Sequence, residues 1–137
     1  MKTLCAIILL ALSFGVFAQQ QKSEQAKELY NNSTICEIYY TDIFIAAVGQ
    51  YGTNQPNNER DHAEEMSSFF NDSALRVLML SGPYAGDELN SDIWHDVVGQ
   101  KNVREIMKKF TDNQVAQLPT LCGALRNQVE EVMSQGG

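Results

Sequence analysis

Cys36 and Cys122 stand 86 residues apart, and a bond between them would close a loop over most of the folded chain. They form the decisive pair because the third cysteine, Cys5, falls in a segment that the mature protein is expected to lose. Lys2 supplies a positive start, residues 4–12 are an unbroken apolar run, and Val16-Phe17-Ala18 closes it with a small-x-small end. A charged start, an apolar run of roughly 7–15 residues and such an end read as a secretory signal peptide. The run is too short for a ~20-residue membrane helix, and no later segment is longer. The expected organisation is therefore a cleaved signal peptide, residues 1–18, and a single secreted domain, residues 19–137. A soluble extracellular protein lives in an oxidising space, where Cys36 and Cys122 are expected to pair within one chain. Closing so long a loop is worth about 4–5 kcal/mol on the loop-entropy scale. A disulfide-linked dimer is the rival arrangement.

Removing 18 of 137 residues leaves 119, enough for one domain with a real core. The formal net charge is −7, and loss of Lys2 makes it −8. The charge is unevenly placed. Residues 19–99 carry four basic and thirteen acidic side chains, whereas residues 100–126 carry five basic and two acidic. An acidic chain of this kind lacks the basic footprint of a general nucleic-acid binder. Three acceptor triplets for N-glycosylation, at Asn31, Asn32 and Asn71, suit export.

Helical spacing dominates the rest. A short helix is expected over residues 23–30, interrupted by Asn31-Asn32-Ser33. Thr34 and Glu37 form a capping-box pattern that would open a second helix over residues 35–48, with Gly49 and Gly52 stopping it. Cys36, Tyr40, Ile43 and Ala47 recur on one of its faces, and apolar residues cover most of the others, as in a central bundle helix. After a polar loop over residues 49–58, Asn58 is the expected cap of a helix to about Met79, with Ala63, Met66, Phe70, Ala74 and Val77 as its stripe. A glycine- and proline-rich break follows over residues 81–90. Ser91 is expected to cap a short helix ended by Gly99, and Asn102 to cap another. Thr111 and Gln114 repeat the capping box before a brief turn, and Pro119 suits the first turn of the last helix. The pattern predicts an all-α, single-domain bundle of five or six helices around one core, with one intramolecular disulfide.

Chemistry-bearing motifs are sparse. His62 and His95 have no paired-histidine or clustered-cysteine spacing around them, so no metal or cofactor is expected. No nucleophile elbow and no phosphate-binding glycine loop occurs. No catalytic residue is assigned; His62 reads as an exposed residue of an acidic helix and His95 as packing beside Trp94. Binding features are better represented. Lys101, Arg104 and Lys108 form a cationic stripe, and Tyr51 and Tyr84 are placed in the two long loops, as partner-binding residues. The expected function is that of a secreted, non-enzymatic protein that binds another extracellular protein as an inhibitor or effector. The alternative is a carrier of a small apolar ligand, lined by Tyr39, Tyr40, Phe44, Phe69, Phe70 and Trp94.

Overall fold

The computed structural model describes residues 14–81 and 91–136, with the backbone alone over residues 14–23 and 132–136. Among the described residues all regular structure is helical, in four rods. Helix α1 is Phe14–Tyr51 and α2 is Asn58–Ser81. Helix α3 runs without a break over residues 91–107, from an α turn Ser91–Trp94 through a π turn His95–Gly99 into an α segment Gln100–Met107. Helix α4 is Asp112–Gly136. The all-α class stands, but the interruptions expected at residues 31–33, between Gly99 and Asn102, and before Pro119 are all bridged, so five or six helices become four. Residues 1–13 of the expected signal peptide and Tyr84 lie outside the described residues. Cleavage after Ala18 would fall inside α1 and leave that helix starting at residue 19.

The break expected at Asn31-Asn32-Ser33 is absent because tertiary burial outweighs weak local propensity. Tyr30, Ser33, Thr34 and Glu37 fall at i, i+3, i+4 and i+7, and all four are buried on one stripe. Thr34 therefore caps nothing. Its hydroxyl and that of Ser33 are buried without a hydrogen-bond partner, and Glu37 turns to another helix. The end of α1 comes at Gly52, the one described glycine with a left-handed backbone, at φ 72°. Its amide donates to the Val48 carbonyl at 2.8 Å, closing the helix in the simple left-handed cap. Gly49 lies within the helix, so the loop shrinks to residues 52–57.

Helix α2 is capped one residue earlier than expected, by Asn57, whose Oδ1 accepts the Arg60 amide at 2.9 Å. Arg60 then locks the connection: its Nη1 donates to the Gly52 carbonyl at 2.7 Å and its Nε to Asp61 at 3.1 Å. So short a connection lays α2 antiparallel along α1. The expected stripe on α2 points inward at Ala63, Met66, Phe70 and Ala74, and Leu78 extends it.

Helix α4 begins at the second capping box, seven residues before the start expected at Pro119: the Thr111 amide donates to Gln114 Oε1 at 2.8 Å and the Gln114 amide to Thr111 Oγ1 at 3.2 Å. No turn separates it from the last helix. Pro119 sits inside α4, where it removes one amide donor, and the buried positions Leu118, Cys122 and Val129 keep helical spacing across it. Cys122 is bonded to Cys36 with the Cα atoms 5.8 Å apart, fastening α4 to α1. Arg126 fastens α4 to α2 by donating to Glu65 at 2.9 Å and lying over the Phe69 ring at 4.7 Å. Its guanidinium is held above its ordinary pKa mainly by the hydrogen bond to Glu130, with Glu65 adding to the effect.

The single expected core is two clusters. One surrounds the disulfide with Tyr40, Ala63, Met66, Phe70 and Leu118; the other joins Tyr30, Ala74, Leu78 and Trp94. Helix α1 touches every other helix and is the centre of the bundle.

The π turn brings backbone and ring together at the second cluster. A Cβ added at Gly99 would collide with the Tyr30 hydroxyl and stand 2.8 Å from its ring and 3.0 Å from Trp94. Gly99→Ala is therefore expected to destabilise the protein by about 1–3 kcal/mol, as overpacking does. Gly123→Ala, at a helical position with nothing within 4 Å, is expected to stabilise it by about 0.5–1 kcal/mol. Paired urea-unfolding curves read both signs, and equal effects at the two sites would refute the tight approach at Gly99.

Candidate functional site

Three helices meet at a buried polar constellation. Tyr30 and Glu37 come from α1, His95 from the π turn of α3, Asn71 from α2 and Gln100 from the turn after His95. His95 Nε2 is 2.9 Å from Glu37 Oε1 and 3.0 Å from Oε2, and Nδ1 is 2.6 Å from the Tyr30 hydroxyl. A carboxylate only accepts, so Nε2 carries the proton and donates to Glu37. Nδ1 of the neutral ring then accepts the Tyr30 hydroxyl proton. Gln100 Nε2 donates to Glu37 Oε1 at 2.9 Å, and Asn71 Nδ2 to Oε2 at 3.2 Å. Tyr30 also meets His95 and Trp94 edge to face, with ring centroids 5.5 Å apart in both pairs.

The π turn is what makes this set possible. An extra residue in the turn shifts the register of α3, so that His95 and Gln100 both address Glu37 from one side. His95 is 0% exposed, and the Tyr30–His95–Glu37 chain joins α1 to α3. The packing role expected of His95 stands, with a hydrogen-bonding role that sequence spacing missed. The signal available was the helical spacing of Tyr30, Ser33, Thr34 and Glu37, which puts four groups able to hydrogen-bond on one face.

Glu37 also forms the floor of a polar cleft of about 330 Å³ between α1, α2 and α3. A second cleft, of about 370 Å³, is apolar and lies between α1 and α4 beside the disulfide. Asn32, Ile35 and Cys36 form its α1 wall; Leu118, Leu121, Ala124, Leu125 and Gln128 form its α4 wall, with Phe110 from the preceding connection. Leu121 is 56% exposed on its rim, and Val115 is exposed on the same helix.

The six aromatic residues expected to line a ligand cavity line neither cleft. Tyr40 and Phe70 belong to the disulfide cluster, Tyr39, Phe44 and Phe69 pack against it, and Trp94 belongs to the second cluster. Helical spacing directs them into the bundle, where α2 and α4 already fill the space. His62 is exposed, its ring edge to face with Tyr40 at 5.7 Å.

The cationic stripe is partly neutralised within the protein. Lys108 Nζ donates to Glu105 at 2.7 Å, and Arg104 stands 3.6 Å from Asp42. The Lys108 hydrogen bond, its charge and that of Lys101 hold the Glu105 carboxyl below its ordinary pKa. Lys101 is exposed on the same helix. Tyr51 is the last residue of α1 and is 47% exposed. Of the acceptor asparagines, Asn32 is exposed, Asn31 is half-buried and Asn71 is half-buried with its amide committed to Glu37. All three lie within helices, so the break expected around the first two is not there.

Among the described residues, no three His, Cys, Asp or Glu side chains converge as a metal would require. No described helix is long and apolar enough to cross a membrane. Comparison with protein-family models, with curated proteins and with solved structures finds no match.

Proposed function

We propose that this is an exported, non-catalytic helical protein that binds an apolar or amphipathic segment of another extracellular protein. The observation that carries the reading is the apolar groove between α1 and α4. Leu118, Leu121 and Leu125 recur along α4 at three and four residues, the spacing that a helix laid in a groove would meet. Leu121 and Ala124 are exposed along the rim, so an occupant keeps one side in solvent, as a docked helix does. The disulfide beneath the groove holds its two walls at fixed separation, which lowers the ordering cost of binding. The leader pattern over residues 1–18 and the Cys36–Cys122 bond support export.

A second reading, a carrier of a small apolar ligand, is favoured by the size of the same groove, which falls within the range of about 300–1,000 Å³ common for ligand sites. One comparison separates the two. The mature protein, verified to begin at Gln19, is used to capture its target from extracellular fluid alongside Leu121→Asp. Because Leu121 is exposed, the variant is expected to fold normally and to bind the target about 10–30-fold more weakly, the loss of a hot spot worth about 1.4–2 kcal/mol. Undiminished capture by Leu121→Asp would reject the groove as the docking face. A bound lipid-sized mass in native mass spectrometry, lost on organic extraction, would favour the carrier.

A further inference from the structure

The polar cleft differs in chemistry from the apolar groove and lies on the opposite flank of α1, over Glu37 rather than over Cys36. Its floor is the Glu37 carboxylate, 4% exposed. Its walls are Thr41 from α1, Gln100 from α3, and Ser67, Ser68, Asn71 and Asp72 from α2. No lysine or arginine is among these residues, so the lining carries two formal negative charges and no positive one.

The hydrogen bonds inside the wall decide what the cleft offers. Asn71 and Gln100 each turn an amide nitrogen to Glu37, at 3.2 and 2.9 Å, which directs their carbonyl oxygens away from the carboxylate. The Ser67 hydroxyl spends its proton on the Glu64 carbonyl at 3.0 Å and keeps its lone pairs. Asp72 adds an exposed carboxylate at the mouth. The lining is thus rich in acceptors and negatively charged. An anion is repelled. A guanidinium could pair edge-on only with the exposed Asp72 at the mouth, because both oxygens of Glu37 already accept hydrogen bonds. A tetrahedral ammonium, with three donors and no acceptor on a narrow stem, is the complement of this set.

We propose that the cleft between α1, α2 and α3 is a binding site for an alkylammonium group, held by Asp72 and by the amide oxygens that Glu37 orients. The positioning follows from the buried network. His95 fixes the Glu37 carboxylate from below, and the carboxylate fixes both amides. The group can arrive on a free alkylamine or on the lysine side chain of a peptide.

The test is a titration of the isotope-labelled mature protein by two-dimensional NMR with 1,4-diaminobutane, with 1,4-butanediol as the uncharged counterpart and with Nα-acetyl-lysine amide. Saturable shifts confined to the residues around Glu37, Ser67, Asn71, Asp72 and Gln100 are expected with both amines and not with the diol. Asp72→Asn, at an exposed position, is expected to weaken binding about 5–10-fold, as loss of one charge-assisted hydrogen bond does. Asp42→Asn removes the same charge from a carboxylate that does not line the cleft, and is expected to leave affinity unchanged. Tighter binding of the diamine would assign the site to free amines, and tighter binding of the lysine amide would assign it to a peptide. Shifts of equal size with the diol, no shifts with either amine, or equal weakening by Asp42→Asn would each overturn the proposal. These outcomes do not depend on the apolar groove, so the two readings fail separately.

Discussion

His95→Ala is expected to lower the stability of the fold by about 3–5 kcal/mol, the cost of emptying a fully buried ring site together with the loss of a hydrogen bond to a buried carboxylate. The ring is 0% exposed and links Tyr30 to Glu37, so truncation removes one hydrogen bond from each of two buried groups at once. It also leaves a ring-sized void beside Tyr30, whose ring is already packed tightly against Gly99. A small domain is stable by about 5–15 kcal/mol in total, so the variant should be partly unfolded at physiological temperature. Tyr30→Phe is the graded control. It removes one hydroxyl and leaves Nδ1 without that donor, for an expected cost of about 1–3 kcal/mol. Chemical unfolding of the three proteins at neutral pH should give that order. A loss under about 1 kcal/mol for His95→Ala would mean that the network does not join α1 to α3 as described.

Replacing Cys36 and Cys122 together by alanine is expected to cost about 2–5 kcal/mol, the usual range for a native bridge in a small secreted domain. Helix α4 is the element most dependent on the bond. Its other described ties to the bundle include Leu118 and Leu125 in the disulfide cluster, buried Val129, and Arg126, which meets Glu65, Met66 and the Phe69 ring. Hydrogen exchange of the double variant should therefore rise first in α4, ahead of α1 and α2. The parent protein should run as a monomer without reductant and show no free thiol. Uniform loss of protection across the molecule would mean instead that the bond supports one cooperative unit.

Much of the local architecture was legible because it depends on near neighbours. The Thr111–Gln114 box forms as its four-residue pattern requires, though it opens α4 itself rather than a brief turn. The stripe from Ala63 to Ala74 buries the face that helical spacing selects. The same logic misread Thr34 and Glu37. They have the spacing of a capping box, but both are buried inside α1, and their apparent reciprocity was accidental. Pro119 misled in the same direction: an apolar stripe crossing it carried the helix through a residue that disfavours helix interiors. The candidate site was less legible still. Tyr30, Glu37, Asn71, His95 and Gln100 come from three helices, and no spacing along the chain brings them together.

From its sequence alone this protein is expected to be helical and cross-linked: capping patterns and three-to-four spacing act within a turn or two, and the two cysteines beyond the expected leader leave one internal pairing. The tertiary structure alone decided that residues 31–33 would stay helical and that α3 would contain a π turn. It also decided that His95 would find Glu37 and that the apolar surface left over would form a groove beside the disulfide. The physical reason is range. Local hydrogen bonding and hydrophobic periodicity are properties of adjacent residues, whereas burial of Ser33, Thr34 and Glu37 requires a second and a third helix to be present. Only then does a polar face that would favour a break become the face on which the helices join.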